Sequence, residues 1–176
     1  MDILSTDKKW EDVFPAAGQQ IFLQLLEDDT EYEPAAASTG VPVRGLFLFY
    51  GAKQHMIAAA ALAGAQVGKK TYRINADTLM AADIKETEKN IKQVFEAATA
   101  NAAVLLFDEA DALLTKRTTV KDSHDKYANQ EISYLLQQIE QYKGTVILAV
   151  TNKQNIDPGF IRRVQQLIHF PPPKKD

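Results

Sequence analysis

The sequence predicts an α/β fold, a doubly wound parallel sheet with helices on both faces. Three observations predict it. Two apolar runs, Leu46-Phe47-Leu48-Phe49-Tyr50 and Val104-Leu105-Leu106-Phe107, have the unbroken hydrophobicity of strands buried on both faces. Each run ends on residues suited to chemistry, Gly51 in the first and Asp108-Glu109 in the second. The segments between the strand-like runs repeat their apolar residues at helical spacing, and strands alternating with helices give a parallel sheet.

The elements follow in order. Phe14, Gly18, Ile21, Phe22, Leu25 and Leu26 share one helical face, which runs into Glu27-Asp28-Asp29. Trp10, just before, reads as a core anchor for this N-terminal segment. Pro34 to Gly40 reads as a linker. Strand 46–50 leads to an alanine-rich helix near 56–66, stopped by Val67-Gly68, and Thr71-Tyr72-Arg73-Ile74 is a short second strand. Ile91, Val94, Phe95 and Ala98 lie on one face of a helix near 85–100, with Glu88 four residues before Lys92 as outward support. After the acid-bearing strand come a polar, mobile stretch at 115–126 and a helix carrying Ile132, Leu135, Leu136 and Ile139. Thr145 to Val150 is a buried strand ending in Thr151-Asn152. Asp157-Pro158 is an N-cap followed by proline at the first helical position, opening a short helix to Val164. A last strand runs from Leu167 to Phe170, and Pro171-Pro172-Pro173 stops it. We divide the chain into an N-terminal helical segment and linker, 1–40, and a core, 41–176, forming one domain.

Bulk properties narrow the function. With 176 residues and 45% hydrophobic content, the chain can bury a sizeable core. It has no cysteine, which excludes disulfides, thiolate metal sites and thiol nucleophiles. A net charge of −3 argues against nucleic acid as the principal partner. The apolar run from Ile57 to Ala65 is too short for a bilayer, and Met1 to Asp7 lacks the basic and apolar regions of a signal peptide. We expect a cytoplasmic domain with no membrane partner.

A strand ending in two acids is what a P-loop nucleotidase uses: the first holds Mg²⁺ through water and the second polarises the attacking water. Upstream, a glycine-rich loop closing on Gly-Lys-Ser/Thr should follow the first strand. The chain reads Gly51-Ala52-Lys53-Gln54-His55-Met56 instead, keeping only the first glycine. Several further motifs stand in a consistent order: Lys85-Glu86-Thr87-Glu88-Lys89-Asn90, then Phe107-Asp108-Glu109-Ala110-Asp111-Ala112-Leu113, then Val120 to Asn129, then Thr151-Asn152, then Asp157-Pro158-Gly159-Phe160-Ile161-Arg162-Arg163. Together they resemble the AAA family of ring-forming ATPases over roughly residues 10 to 170, with a bacterial subgroup suggested by the stretch 120–129.

The resemblance implies a P-loop NTPase-like αβα sandwich with a five-stranded parallel sheet in the order 5-1-4-3-2, the AAA large subdomain. The family's helical lid is expected to be missing, because the chain stops at Lys174-Lys175-Asp176 where the lid would begin. ATP and Mg²⁺ are the implied cofactors. Asp108 would hold the metal and Glu109 would activate water. Asn152 would orient that water as sensor 1, and Arg163, facing outward at a helix end, would act as the arginine finger on a neighbour. Gly51, Lys53 and His55 are the residues left to meet a phosphate, although Lys53 reads as well as a solvated surface lysine and His55 as a partly exposed loop histidine. The implied partners are other AAA subunits or a tandem AAA domain in a ring, and a protein client.

Two departures from the family pattern bear on activity. Losing the loop lysine removes charge-assisted hydrogen bonds worth roughly 1.5–3 kcal/mol each. With the glycine nest also lost, roughly 3–6 kcal/mol would weaken nucleotide binding by about two to four orders of magnitude. The second departure is Asp83, which stands where threading members carry a pore aromatic, with Lys85 in place of the usual glycine. Asp108 and Glu109 are thus either relics or a working pair. The combination favours a nucleotide-binding-deficient, pseudo-ATPase module serving as a structural or regulatory subunit of a protein-remodelling assembly. The alternatives are a functional AAA ATPase with an atypical phosphate loop, and a fragment whose partner domain supplies the lid.

Overall fold

The computed structural model describes residues 1–13, 22–23, 43–114 and 123–172. Six strands, β1 (Asp2–Leu4), β2 (Val43–Gly51), β3 (Thr71–Asn75), β4 (Val104–Asp108), β5 (Val146–Val150) and β6 (Val164–Phe170), form one sheet in the order β1-β3-β4-β5-β2-β6. The five strands from β2 onward are parallel. Numbered from β2, they stand in the predicted order 5-1-4-3-2. The sixth, β1, was not expected; it pairs antiparallel with β3, placing Asp2 opposite Arg73.

The helices are α1 (Trp10–Val13), α2 (Lys53–Gln66), α3 (Ile84–Asn101), α4 (Asp111–Leu114), α5 (Ser123–Gln141) and α6 (Pro158–Ile161). Because side chains alternate along a strand, the buried strands feed two cores. Leu46, Leu48, Leu105, Phe107 and Leu148 face α3 and α5, where Ile91, Phe95, Leu135 and Ile139 meet them. Phe47, Phe49, Leu106 and Ile147 face the other way, against Met56, Ala59, Ala60 and Ala63 of α2. Burial on both faces is why these strands read as unbroken apolar runs. Phe22 is helical and fully buried, edge-on to Phe47 and Phe49 at centroid distances of 5.0 and 5.5 Å, and Trp10 stands 6.0 Å from it. Trp10 therefore anchors the N-terminal segment as expected. The rest of the predicted first helix and the linker at 34–40 lie outside the described residues. So do most of the polar stretch, residues 115–122, and the last four residues.

Several boundaries differ from expectation. Helix α2 begins at Lys53 rather than near 56, so the link from β2 is Ala52 alone. Strand β6 begins at Val164, three residues earlier than expected, taking the residue that was to end the preceding helix. That helix, α6, is a single turn, capped as predicted by the Asp157 carboxylate, which accepts the Gly159 N–H at 2.7 Å. Lys92 pairs forward with Glu96 at 3.8 Å.

The alanine-rich sequence of α2 is explained by its closeness to the sheet. Thr71, buried at the start of β3, donates its hydroxyl to Ala60 O at 2.9 Å. A Cβ on Gly64 would lie 2.1 Å from Thr71 Oγ1 and 2.8 Å from the Lys69 carbonyl oxygen. Gly64→Ala is therefore expected to destabilise the chain by about 1–3 kcal/mol through overpacking, despite alanine's better helix propensity; urea unfolding giving equal or higher stability would contradict this packing.

Candidate functional site

Parallel strands deliver their last residues to one edge of the sheet, and here the edge carries charge. Asp108 ends β4 with its side chain only 3% exposed. The next residue, Glu109, has a left-handed φ of 55°, and its N–H donates to Asp108 Oδ1 at 2.9 Å. The turn is tied to β5 by the Ala110 N–H donating to Ala149 O at 2.9 Å.

Two basic side chains occupy the acids. Arg73 lies on β3 in register with Leu106 of β4, two residues before Asp108 and on the same face. It donates to Asp108 Oδ2 from Nε at 2.9 Å and from Nη2 at 2.5 Å. Lys53, in the first turn of α2, donates from Nζ to Glu109 Oε1 at 2.7 Å and stands 3.7 Å from Asp108 Oδ2. Asn75 at the end of β3 donates to Glu109 Oε2 at 3.3 Å. The hydrogen bond to Glu109 raises the Lys53 pKa, partly opposed by burial. The same bond, with the ammonium charge, lowers that of Glu109. The ion pair is therefore intact across the neutral range. It is lost in acid as pH falls through the lowered Glu109 value, and in base as pH rises through the raised Lys53 value.

Asp108 with these partners is a poor fit for the Mg²⁺ that the sequence implied. A water-mediated metal contact needs a carboxylate oxygen with unspent charge. Oδ2 already faces two Arg73 donors and Lys53, and Oδ1 holds a backbone N–H. The link Ala52-Lys53-Gln54-His55 also carries no hydroxyl to share the ion.

The link itself packs against β6. Gly51 has φ +117°, and a Cβ there would fall 2.1 Å from the Phe170 carbonyl oxygen. That oxygen accepts the Ala52 N–H at 2.8 Å. His55 Nδ1 is 3.2 Å from the Pro171 carbonyl oxygen, and Tyr50 stacks on His169 at 4.9 Å. Gly51 and His55 therefore contact the last strand and the residue after it, whereas Lys53 reaches the acids. Lys53 is exposed at the surface as that reading expected, its side chain 48% accessible, and it is also paired with Glu109.

The other predicted residues sit apart from this cluster in their bonding. Asn152 caps a short 3₁₀ turn, its side chain accepting the Gln154 N–H at 2.9 Å. Asp111 accepts the Thr151 N–H at 3.0 Å, holding the end of β5. Asp83 is the N-cap of α3, accepting from Lys85 N at 2.9 Å, which gives a local reason for a carboxylate at that position. Buried Thr87 accepts the Ala81 N–H at 2.8 Å and fixes the loop before it. A cavity of about 440 Å³ between the C-terminal ends of α3 and α5 lies toward the opposite edge of the sheet.

Arg73 and Asn75 were missed in the sequence. No signal in the sequence marked them: Arg73 alternates with buried Tyr72 and Ile74 as an outward-facing residue would, and its acidic partner is set by register with β4. Arg163 does not face outward as expected. It turns back to an ion pair with Glu140 of α5, the two side chains 18% and 16% exposed, while Arg162 beside it is exposed. Replacing one member of so sheltered a pair leaves the other charge desolvated. Arg163→Ala should therefore cost about 1–3 kcal/mol of stability, read as a lower urea midpoint, and Glu140→Gln should lower it similarly.

The model of the ATPase family associated with various cellular activities (AAA) matches residues 56–172. The chain is 28% identical over 176 residues to a cell division cycle protein 48 homolog of Archaeoglobus fulgidus, covering 95% of this chain and 24% of that protein. It is 28% identical over 165 residues to the AAA family ATPase y4kL of Sinorhizobium fredii, covering 92% and 49%. It is 29% identical over 168 residues to the peroxisomal ATPase PEX1 of Saccharomyces cerevisiae, covering 89% and 15%. The chain thus spans less than half the length of each of these relatives. Sheet order, the acid pair at the end of β4 and the extent of the family match lead to one conclusion: the chain belongs to the AAA family of ATPases.

Proposed function

We propose that this AAA module works as a nucleotide-binding-deficient structural or regulatory subunit of a protein-remodelling assembly. The observation that carries the reading is the junction of β2 and α2. A phosphate cradle needs a loop whose N–H groups point at the ligand and whose glycines let it approach. Here the strand passes to the helix through Ala52, whose N–H is given to Phe170 O, and Gly51 is packed against that same carbonyl. The retained glycine serves contact with β6.

The partners in this reading are other AAA subunits or a tandem AAA domain in a ring, with a protein client, in the cytoplasm. No helix among the described residues is long and apolar enough to cross a membrane. An arginine from the segment after Asp157 would act on a neighbour's nucleotide. With Arg163 held by Glu140, that role requires either release of the pair or use of exposed Arg162. Glu109 and Asn152 keep the family's catalytic positions without substrate aligned to them, and alignment is what gives a general base its effect.

A second reading is a working ATPase with an atypical phosphate loop. It is favoured by Lys53, whose side chain is 48% exposed in the first turn of α2 and would meet a phosphate only by leaving its 2.7 Å pair with Glu109. Calorimetric titration with ATP to millimolar concentration, with and without Mg²⁺, separates the two. The first reading expects a Kd above roughly 100 μM, weaker than about −5.5 kcal/mol. Low-micromolar, Mg²⁺-dependent binding would overturn it, and ATP hydrolysis abolished by Glu109→Gln would establish the second.

A further inference from the structure

We infer that Lys53 and Arg73 are resident replacements for a divalent cation, permanently neutralising the Asp108–Glu109 pair and clamping the top of the sheet without nucleotide or metal. The inference deepens the reading above and rests on it for its biological meaning.

Charge and geometry carry it together. Asp108, 3% exposed, needs a counter-charge from the protein or an ion, whereas Glu109, 43% exposed, is also held by water; one arginine and one lysine supply the two positive charges that a divalent ion would bring. The division of labour follows their chemistry. The planar Arg73 fork meets Asp108 Oδ2 through two N–H groups at 2.9 and 2.5 Å, as a guanidinium suits a desolvated carboxylate. Lys53, a compact point charge, sits where it reaches both acids, 2.7 Å from Glu109 Oε1 and 3.7 Å from Asp108 Oδ2. The side chain of Asp108 is 3% exposed, so water contributes little to holding its charge. Its other oxygen is spent on the Glu109 N–H. Among the described residues, no group of three or more histidines and acids offers a metal another place to bind.

The two cations come from different elements, Arg73 from β3 and Lys53 from α2, whereas both acids lie at the end of β4. The cluster therefore joins three segments of the chain through side chains alone. Being covalently part of the chain, these charges cannot be diluted away or removed by a chelator.

The test uses the full chain and Mn²⁺ as the probe. The wild type should show no Mn²⁺ binding by electron paramagnetic resonance and should melt at the same temperature in chelator and in millimolar Mn²⁺. Arg73→Met should melt roughly 5–10 °C lower in chelator, bind Mn²⁺, and recover most of the loss when the ion is added. Adding Asp108→Asn to that variant should restore the melting temperature in chelator and abolish the response to Mn²⁺. If Arg73→Met does not fold, Arg73→Lys provides the measurement: it should fold, melt near the wild type and remain silent to Mn²⁺.

Mn²⁺ binding by the wild type without nucleotide overturns the inference, as does Mn²⁺ binding by Arg73→Lys. A melting loss in Arg73→Met that neither Mn²⁺ nor Asp108→Asn relieves also overturns it, because Arg73 would then act only by packing. Tight ATP binding in chelator would defeat the functional reading and leave the resident cations in place. Mn²⁺ binding by the wild type without tight ATP binding would do the reverse.

Discussion

A carboxylate sealed at the end of a buried strand has to be neutralised, and much of the upper edge of this sheet is arranged around that requirement at Asp108. Its 3% exposure follows from the position of β4, between β3 and β5 with helices on both faces. The guanidinium comes from β3, the adjacent strand, at a register that places it two residues back on the same face. The backbone supplies the rest, since the left-handed turn at Glu109 directs an N–H onto Asp108 Oδ1. That turn also brings the second carboxylate to Lys53 at the start of α2. Local strain, strand order and the helix start are thus connected through one ionised group.

The packing below accounts for how closely these parts approach. Aromatic side chains on β2 and β6 fill one face, with Phe49 and Phe170 centroids 4.8 Å apart. Small residues on α2 let its backbone lie near the sheet, so the first residues of the helix emerge beside the ends of β2 and β6. A junction of one residue is possible because Gly51 adopts φ +117° and tolerates the Phe170 carbonyl where a side chain would stand. A roomier loop would separate the helix start from β6. This short junction instead ties the two together by the Ala52 N–H.

The parallel core could be read from the chain because its strands are buried on both faces, leaving runs such as 104–107 with no polar interruption. The acids at the end of β4 were visible for the same reason, since carboxylates directly after such a run have few structural uses. Helix ends at Asp157-Pro158 were explicit in residue chemistry. The extra strand β1 was not visible, because three residues, two exposed and Leu4 half-buried, are too few to show alternation. Arg73 was hidden in a short strand whose inward face is obvious only once β4 is placed beside it. The Arg163–Glu140 pair joins α5 to the segment before β6, a long-range contact with no periodic signature. Charge partners are set by tertiary register, which composition and spacing do not encode.

The short strand at the sheet's edge has a mechanical consequence. Asp2 lies opposite Arg73, so β1 is hydrogen-bonded to the strand that neutralises Asp108. Ladder hydrogen bonds resist shear along the strand, and a load applied at residue 2 passes directly into β3. Displacement of β1 along its axis would therefore act on the strand that carries Arg73. The edge strand β1 is thus one ladder removed from the charge cluster, with β3 between them.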